Sequence, residues 1–244
     1  FPQFPYKGMT VKTLLSQRSG LPNYAYYLED VKWDKKIKIT NEDVLQTLIT
    51  YKPSLQNPAN RRFNYSNTNF VLLALIIERV SGKLYADYLQ EVFFTPLQMT
   101  STKVFNRNDS ATVTPSYMWN GVQEAFTWLD VTYGDKNIYS TVTDLLKWDQ
   151  ALYSNRLISA ASYEQMIADA SNEYGFGWEM RTWLGRRQIG HAGSGGGFSN
   201  LMGRFIDDRL EWMGSGLELF KGAIMALLLV VLPLLLLNTL AQAL

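Results

Sequence analysis

Residues 174–206 read YGFGWEMRTWLGRRQIGHAGSGGGFSNLMGRFI, and the spacing of turn formers in this stretch decides the fold class. Aromatic and branched residues come in three short runs, Tyr174 to Thr182, Arg187 to His191 and Phe198 to Ile206, parted by glycine-rich segments. That pattern predicts strands joined by tight turns, an antiparallel meander. Upstream the period is helical. Thr10 precedes VKTLLSQ, which Gly20 and Pro22 stop, and Thr40 with Asn41, Glu42 and Asp43 resembles a capping box. From about Thr68 to Ser81, Phe70, Leu73, Ala74, Ile77 and Val80 recur at helical spacing, and Gly82 ends the run. Shorter helices are expected over Tyr85 to Phe94, closed by Pro96, and over Thr143 to Tyr153, with Asp144 in the first turn. Helices gathered first and strands gathered last imply an α+β fold, an antiparallel sheet with a helical subdomain, rather than a βαβ winding.

Composition narrows the chemistry. The chain has 244 residues, 23 Lys and Arg against 22 Asp and Glu, and a formal charge of +1, so nothing at this level points to nucleic acid. Cysteine is absent, which excludes disulfides, cysteine zinc sites and thiol nucleophiles. A single histidine, His191, makes a multi-histidine metal site impossible, and no cofactor is expected. One domain is read over 1–210, followed by a distinct tail at 217–244. From Gly222 to Leu244 no charge occurs (GAIMALLLVVLPLLLLNTLAQAL). As a helix rising ~1.5 Å per residue, that length crosses ~30 Å of hydrocarbon, so a membrane span is expected, with a buried C-terminal helix as the alternative. Pro233 is tolerated in such a helix. The opening FPQFPYKG lacks the basic and apolar parts of a secretory leader.

Four segments carry the functional reading: LLSQRSGLPNY (14–24), FNYSNTNF (63–70), GDKNIYSTVTDLLKWDQAL (134–152) and GHAGSGGGF (190–198). In this order they resemble the serine β-lactamase-like hydrolases, the class C and penicillin-binding-protein group, over roughly Phe4 to Phe205. The resemblance implies an incomplete fold of that type and an acyl-enzyme mechanism on amides or esters such as β-lactams, D-amino-acid peptides or small esters. It also implies a small-molecule or peptide substrate and a cell-envelope, periplasmic or membrane-anchored location. Tyr65 and Asn67 are the catalytic candidates; His191, Gly193 and Ser194 border the substrate.

The residues themselves allow these roles. A serine hydroxyl attacks only if a positioned base takes its proton. Tyr65 lies just before a helix, whose positive end, with a nearby ammonium, would favour its phenolate. The alternative is a half-buried tyrosine with a satisfied hydroxyl. Asn67 offers an amide donor and a carbonyl acceptor to a substrate or a lysine, and alternatively caps the helix. His191 would contact a substrate carboxylate or support the tyrosine, or else stand exposed beside a glycine-rich hairpin. Gly193 and Gly195 to Gly197 would let a ligand approach the backbone and turn amides toward an oxyanion.

Two departures qualify the likeness. The nucleophile of the group is the serine of S-x-x-K, with its lysine one helical turn along. No serine here has lysine three positions later, and TSTK (Thr100 to Lys103) falls in a stretch matching a different part of the family. A chain truncated at its N-terminus, inactive as it stands, is therefore expected, with a non-catalytic, membrane-anchored binding domain as the alternative. AGSGG (Ala192 to Gly196) approaches the G-x-S-x-G nucleophile elbow, but that elbow needs a following helix and a later histidine. After Phe205 the sequence FIDDRLEWMGSG gives no clear strand, so an uncovered sheet edge and a marginal fold are expected.

Overall fold

Thr10 opens the first helix, α1 (Val11–Leu15), as a reciprocal cap: its hydroxyl accepts the Thr13 N–H at 3.2 Å while Thr13 Oγ1 accepts the Thr10 N–H at 2.9 Å. The computed structural model describes residues 1–106, 112–154, 157–168, 174–215 and 224–226. Six further α-helices follow, four of them at the sequence signals. Helix α2 (Tyr24–Asp30) starts on Asn23, α3 (Asn41–Tyr51) on the predicted Thr40–Asp43 box, and α4 (Asn67–Ser81) ends at Gly82 in the left-handed region. The single helix expected over Tyr85 to Phe94 divides into α5 (Tyr85–Leu89) and a π-helical turn, Gln90–Phe94. Helix α6 (Val142–Leu152) is capped by Thr141, and α7 (Ala160–Ala168) follows. Helices α2 and α7 escaped the sequence reading because two turns or so hold too few apolar positions to set a period.

Helix α4 is buried nearly all round: Phe70, Val71, Leu72, Leu73, Ala74, Leu75 and Ile77 are all within the core. It packs against α1, α2, α3 and α5. Each of its large apolar side chains contributes about 1.5–3 kcal/mol by leaving water, so α4 is the axis on which the helical part is assembled. Gly134, at φ +96°, lies across it; a Cβ there would stand 2.5 Å from the Phe70 carbonyl oxygen.

The strands pair antiparallel throughout the described residues. Strands β1 (Lys103–Val104) and β2 (Ile138–Ser140) form one edge pair. The meander consists of β3 (Glu179–Trp183), β4 (Arg186–Gly195), β5 (Phe198–Phe205) and β6 (Leu210–Ser215), in that spatial order. Gly195 pairs with Phe198 across Gly196 and Gly197, at φ +54° and +71°, the two left-handed residues a tight hairpin requires. Strand β3 starts later than expected because the chain folds back at Gly175, whose N–H donates to the Trp178 carbonyl at 2.8 Å. Arg204 of β5 is fully buried and ion-paired with Asp149 of α6, its guanidinium 5.7 Å from the Trp178 ring centre, which fastens the sheet to the helices.

Two expectations need correction. The edge of β5 is not bare: β6 pairs with it from Asn200↔Ser215 to Phe205↔Leu210. Its signal was hidden because charged and glycine residues break the alternation in Leu210–Ser215. The apolar tail is not one continuous helix. Ile224–Ala226 forms strand β7, paired with β2, whose backbone groups compete successfully with helical ones for these three residues. The remainder of the expected tail, 217–223 and 227–244, lies outside the described residues, and among the described residues no helix is long and apolar enough to cross a membrane.

Gly20 sits at φ +76°, and a Cβ there would lie 1.9 Å from the Asn57 carbonyl oxygen. Gly20→Ala therefore combines backbone strain with overpacking and is expected to cost about 2–4 kcal/mol, read as a lower urea midpoint with unchanged slope; an unchanged midpoint would show that the loop relaxes freely.

Candidate active site

Between the start of α4, the segment before β2 and strand β4 lies a cleft of about 620 Å³. Its walls include Tyr65, Asn67, His191, Gly193 and Ser194, all five candidates from the sequence. The Tyr65 and His191 ring centres are 6.1 Å apart.

Tyr65 is placed from behind. Gln17, at φ +56°, turns its side chain under the loop, where Oε1 accepts the Ser66 N–H at 2.9 Å and the Asn69 side-chain amide. Ser19 Oγ donates to Asn69 Oδ1, and the Asn64 N–H donates to the Gln17 carbonyl at 2.8 Å. Thr68 Oγ1 donates to the Pro22 carbonyl at 2.7 Å while accepting the Tyr24 N–H at 2.8 Å. These bonds leave Tyr65 39% exposed over the cleft, its hydroxyl without a hydrogen bond among the described residues. Asn67 is the first residue of α4, and Ser66 occupies the cap position, so the capping alternative for Asn67 does not hold.

The tyrosine carries its proton. Burial first, then the carboxylates of Asp135 and Glu179, push the Tyr65 phenol well above its usual range. No ammonium is among the causes of that shift, so the expected help from a neighbouring cation does not come from the described residues. Lys136, the cation lining the cleft among the described residues, is engaged: its Nζ donates to the Tyr24 hydroxyl and to Asp135 Oδ2, the latter at 3.3 Å.

His191 is buried, 4% exposed, rather than projecting from a hairpin. Its Nδ1 stands 2.6 Å from the Ala192 carbonyl, which only accepts, so the ring proton resides on Nδ1. Nε2 then accepts from the Tyr174 hydroxyl at 3.2 Å. Both ring nitrogens are thus engaged, and Tyr174, a residue the motifs did not single out, fixes the imidazole in place. Burial lowers the His191 pKa from 6.5 to about 4, so at neutral pH it is uncharged and offers no cation to a carboxylate.

Strand β4 outruns its neighbour. The β3 pairing stops at Glu179↔Gly190, so among the described residues His191 to Gly195 pair with β5 on one side only, and this open edge borders the cleft. Ser194 lies near the end of β4 opposite Ser199, before a strand-to-strand hairpin and not in a strand-to-helix turn, which disposes of the nucleophile elbow. Gly196 and Gly197 serve the hairpin turn. Asp135, Lys136, Glu124 and Glu179 also line the cleft and were not singled out as site residues in the sequence; the block GDKN (134–137) was a visible trace of the first two alone. Among the described residues no group of acidic and imidazole side chains could hold a metal ion.

Residues 1–214 match the family model described as Beta-lactamase. The chain belongs to the beta-lactamase family. It is 34% identical over 231 residues to a penicillin-binding protein of Bacillus subtilis, covering 85% of this chain and 51% of that protein. It is 26% identical to a D-aminopeptidase of Brucella canis, over 86% of this chain and 42% of the relative. The chain thus spans about half the length of these curated relatives. The fold is similar to that of D-amino acid amidase from Ochrobactrum anthropi, crystallised with D-phenylalanine, at a TM-score of 0.71 and 24% identity, covering 87% of this chain and 66% of that one. An octameric penicillin-binding protein homologue from Pyrococcus abyssi gives a TM-score of 0.71 at 21% identity, covering 98% and 57%.

The unfolded chain binds a proton on His191 below pH 6.5, whereas the folded chain refuses it until about pH 4. Stability is therefore complete above the first value and falls as pH drops toward the second, by about 2–3 kcal/mol at pH 4.5. Urea unfolding at pH 7 and 4.5 is expected to give a smaller pH difference in His191→Gln; an equal difference would mean that the ring protonates in the folded state.

Proposed function

We propose that the cleft is the acyl-transfer site of a serine hydrolase cleaving amide or ester bonds, in β-lactams, D-amino-acid peptides or small esters, through an acyl-enzyme. One observation carries this reading: a phenol with an open hydroxyl faces the free edge of β4 across the cleft. A substrate backbone laid along His191 to Gly195 would complete the edge hydrogen bonds, as a strand added to a sheet does. Its scissile bond would then sit beside Tyr65. The phenol would give its proton to the leaving amine and be refilled by the proton of the attacking serine, relaying one proton from nucleophile to amine, and the same relay would pass a water proton back to the serine as the acyl group is hydrolysed. Asn67 holds the substrate amide from the α4 side. Relatives named as a D-aminopeptidase and a penicillin-binding protein support amide chemistry of this kind, and with it a cell-envelope setting.

None of the serines in these 244 residues begins S-x-x-K, and in this reading none is the nucleophile. The chain as given does not turn substrate over. A ligand-binding role without turnover is the second reading, favoured by that same missing motif.

A fluorophosphonate probe and a chromogenic β-lactam are expected to leave the 244-residue chain unlabelled and the substrate intact. Stoichiometric labelling of any serine here would overturn the assignment of the nucleophile. If the coding DNA upstream supplies S-x-x-K in frame, the extended chain is expected to hydrolyse amides or esters, and Tyr65→Phe to lower its kcat by about 10²- to 10⁴-fold. An active extended chain indifferent to Tyr65→Phe would refute the role given to the phenol.

A further inference from the structure

We propose that Tyr174 is the positioning residue of this cleft, one buried side chain that holds the Tyr65 phenol and the His191 imidazole at their 6.1 Å separation. The proposal rests on the acyl-transfer reading and adds to it the group that aims the proton donor. Tyr174 belongs to none of the four segments that mark the site, yet it touches both walls. Its ring centre lies 5.2 Å from that of Phe63 and 6.4 Å from that of Tyr65, both on the loop before α4, and 5.9 Å from that of His191 on β4. It meets Tyr65 and His191 edge to face, at 83° and 84°, an arrangement that aromatic pairs prefer. Tyr174 is buried and does not line the cleft, so it acts through the two residues that do.

The backbone around Tyr174 is tied to three elements. Tyr174 itself bridges to Glu179 at the start of β3. The Phe176 N–H donates to the Met166 carbonyl of α7 at 3.0 Å, and the Gly177 N–H donates to the Leu15 carbonyl of α1 at 3.2 Å. Gly175 passes so close to α7 that a Cβ there would stand 2.4 Å from the Met166 carbonyl oxygen. The two ends of the side chain then do different work. The bonds around Gln17 fix the backbone on either side of Tyr65, but its hydroxyl has no partner among the described residues, so ring contacts set where the phenol points. The Tyr174 hydroxyl, at 3.2 Å from His191 Nε2, supplies a donor that only the uncharged imidazole can accept. Tyr65, Glu124, Asp130, Asp135, Lys136 and Glu179 are the titratable groups lining the cleft beside that ring, and its partner on β5, Met202, is uncharged. Burial, and none of these groups, lowers the His191 pKa.

Two variants separate the parts of the side chain: Tyr174→Phe keeps the ring and removes the hydroxyl, and Tyr174→Leu removes both. His191 is the sole histidine, so its ring C–H proton resonance in the 244-residue chain reports one titration. In Tyr174→Phe its midpoint is expected to rise from about 4 by up to about one pH unit, because the neutral ring has lost its donor. The Tyr65 ring resonances, assigned by their loss in Tyr65→Phe, are expected to stay in Tyr174→Phe and to move in Tyr174→Leu. In an extended chain carrying S-x-x-K, Tyr174→Leu is expected to lower kcat about tenfold with KM within about threefold, and Tyr174→Phe to recover most of that loss, since a misaimed proton donor is missed in the transition state. A His191 midpoint unmoved in Tyr174→Phe, or Tyr65 resonances alike in both variants, overturns the proposal even where both variants lose stability. Should Tyr174→Leu fail to fold, the midpoint in Tyr174→Phe decides alone. An extended chain disabled by Tyr65→Phe but not by Tyr174→Leu removes the positioning role and leaves the reaction, whereas resonances that shift as stated in a chain without turnover remove the reaction and leave the positioning.

Discussion

The side-chain oxygen of Gln17 accepts two hydrogen bonds inside the protein, from the Ser66 backbone and the Asn69 amide, and the cleft depends on that junction. It joins the exit of α1 to the entry of α4. Each donor it satisfies would otherwise be buried unpaired, at a cost of about 1–3 kcal/mol, and Ser19 and Thr68 extend the same lattice on either side. Because α4 is buried nearly all round, its first turn has little freedom to shift. Tyr65, one residue before the cap, inherits that rigidity although it is itself partly exposed. The left-handed backbone at Gln17 fits the same logic: a non-glycine residue is held there because its amide has two partners to serve.

Helix α4 and the meander were legible in the sequence for different reasons. Fifteen residues give enough turns for a 3.6-residue period to emerge, and the glycines at 195–197 announce a hairpin by the backbone angles they alone take readily. Strand β6 was not legible, since its pairing with β5 is a tertiary fact that overrides a weak local pattern. Helices α2 and α7 were too short to show a stripe. The apolar tail misled in the opposite direction: hydrophobicity says that a segment avoids water, not whether it does so as a helix or, as at Ile224–Ala226, beside another strand.

The candidate site was legible as a set of residues and not as an electrostatic environment. Tyr65, Asn67, His191, Gly193 and Ser194 meet because motifs mark positions. Charge states are set by neighbours, and those come from elsewhere in the chain. Tyr174 holds the His191 ring from before β3, and Asp135 and Glu179, from two different segments, bear on the Tyr65 phenol after burial itself. No spacing rule in a single sequence brings those groups together. Lys136 is the instructive case: as a residue type it promises a cation for the cleft, yet its position binds it to Tyr24 and Asp135.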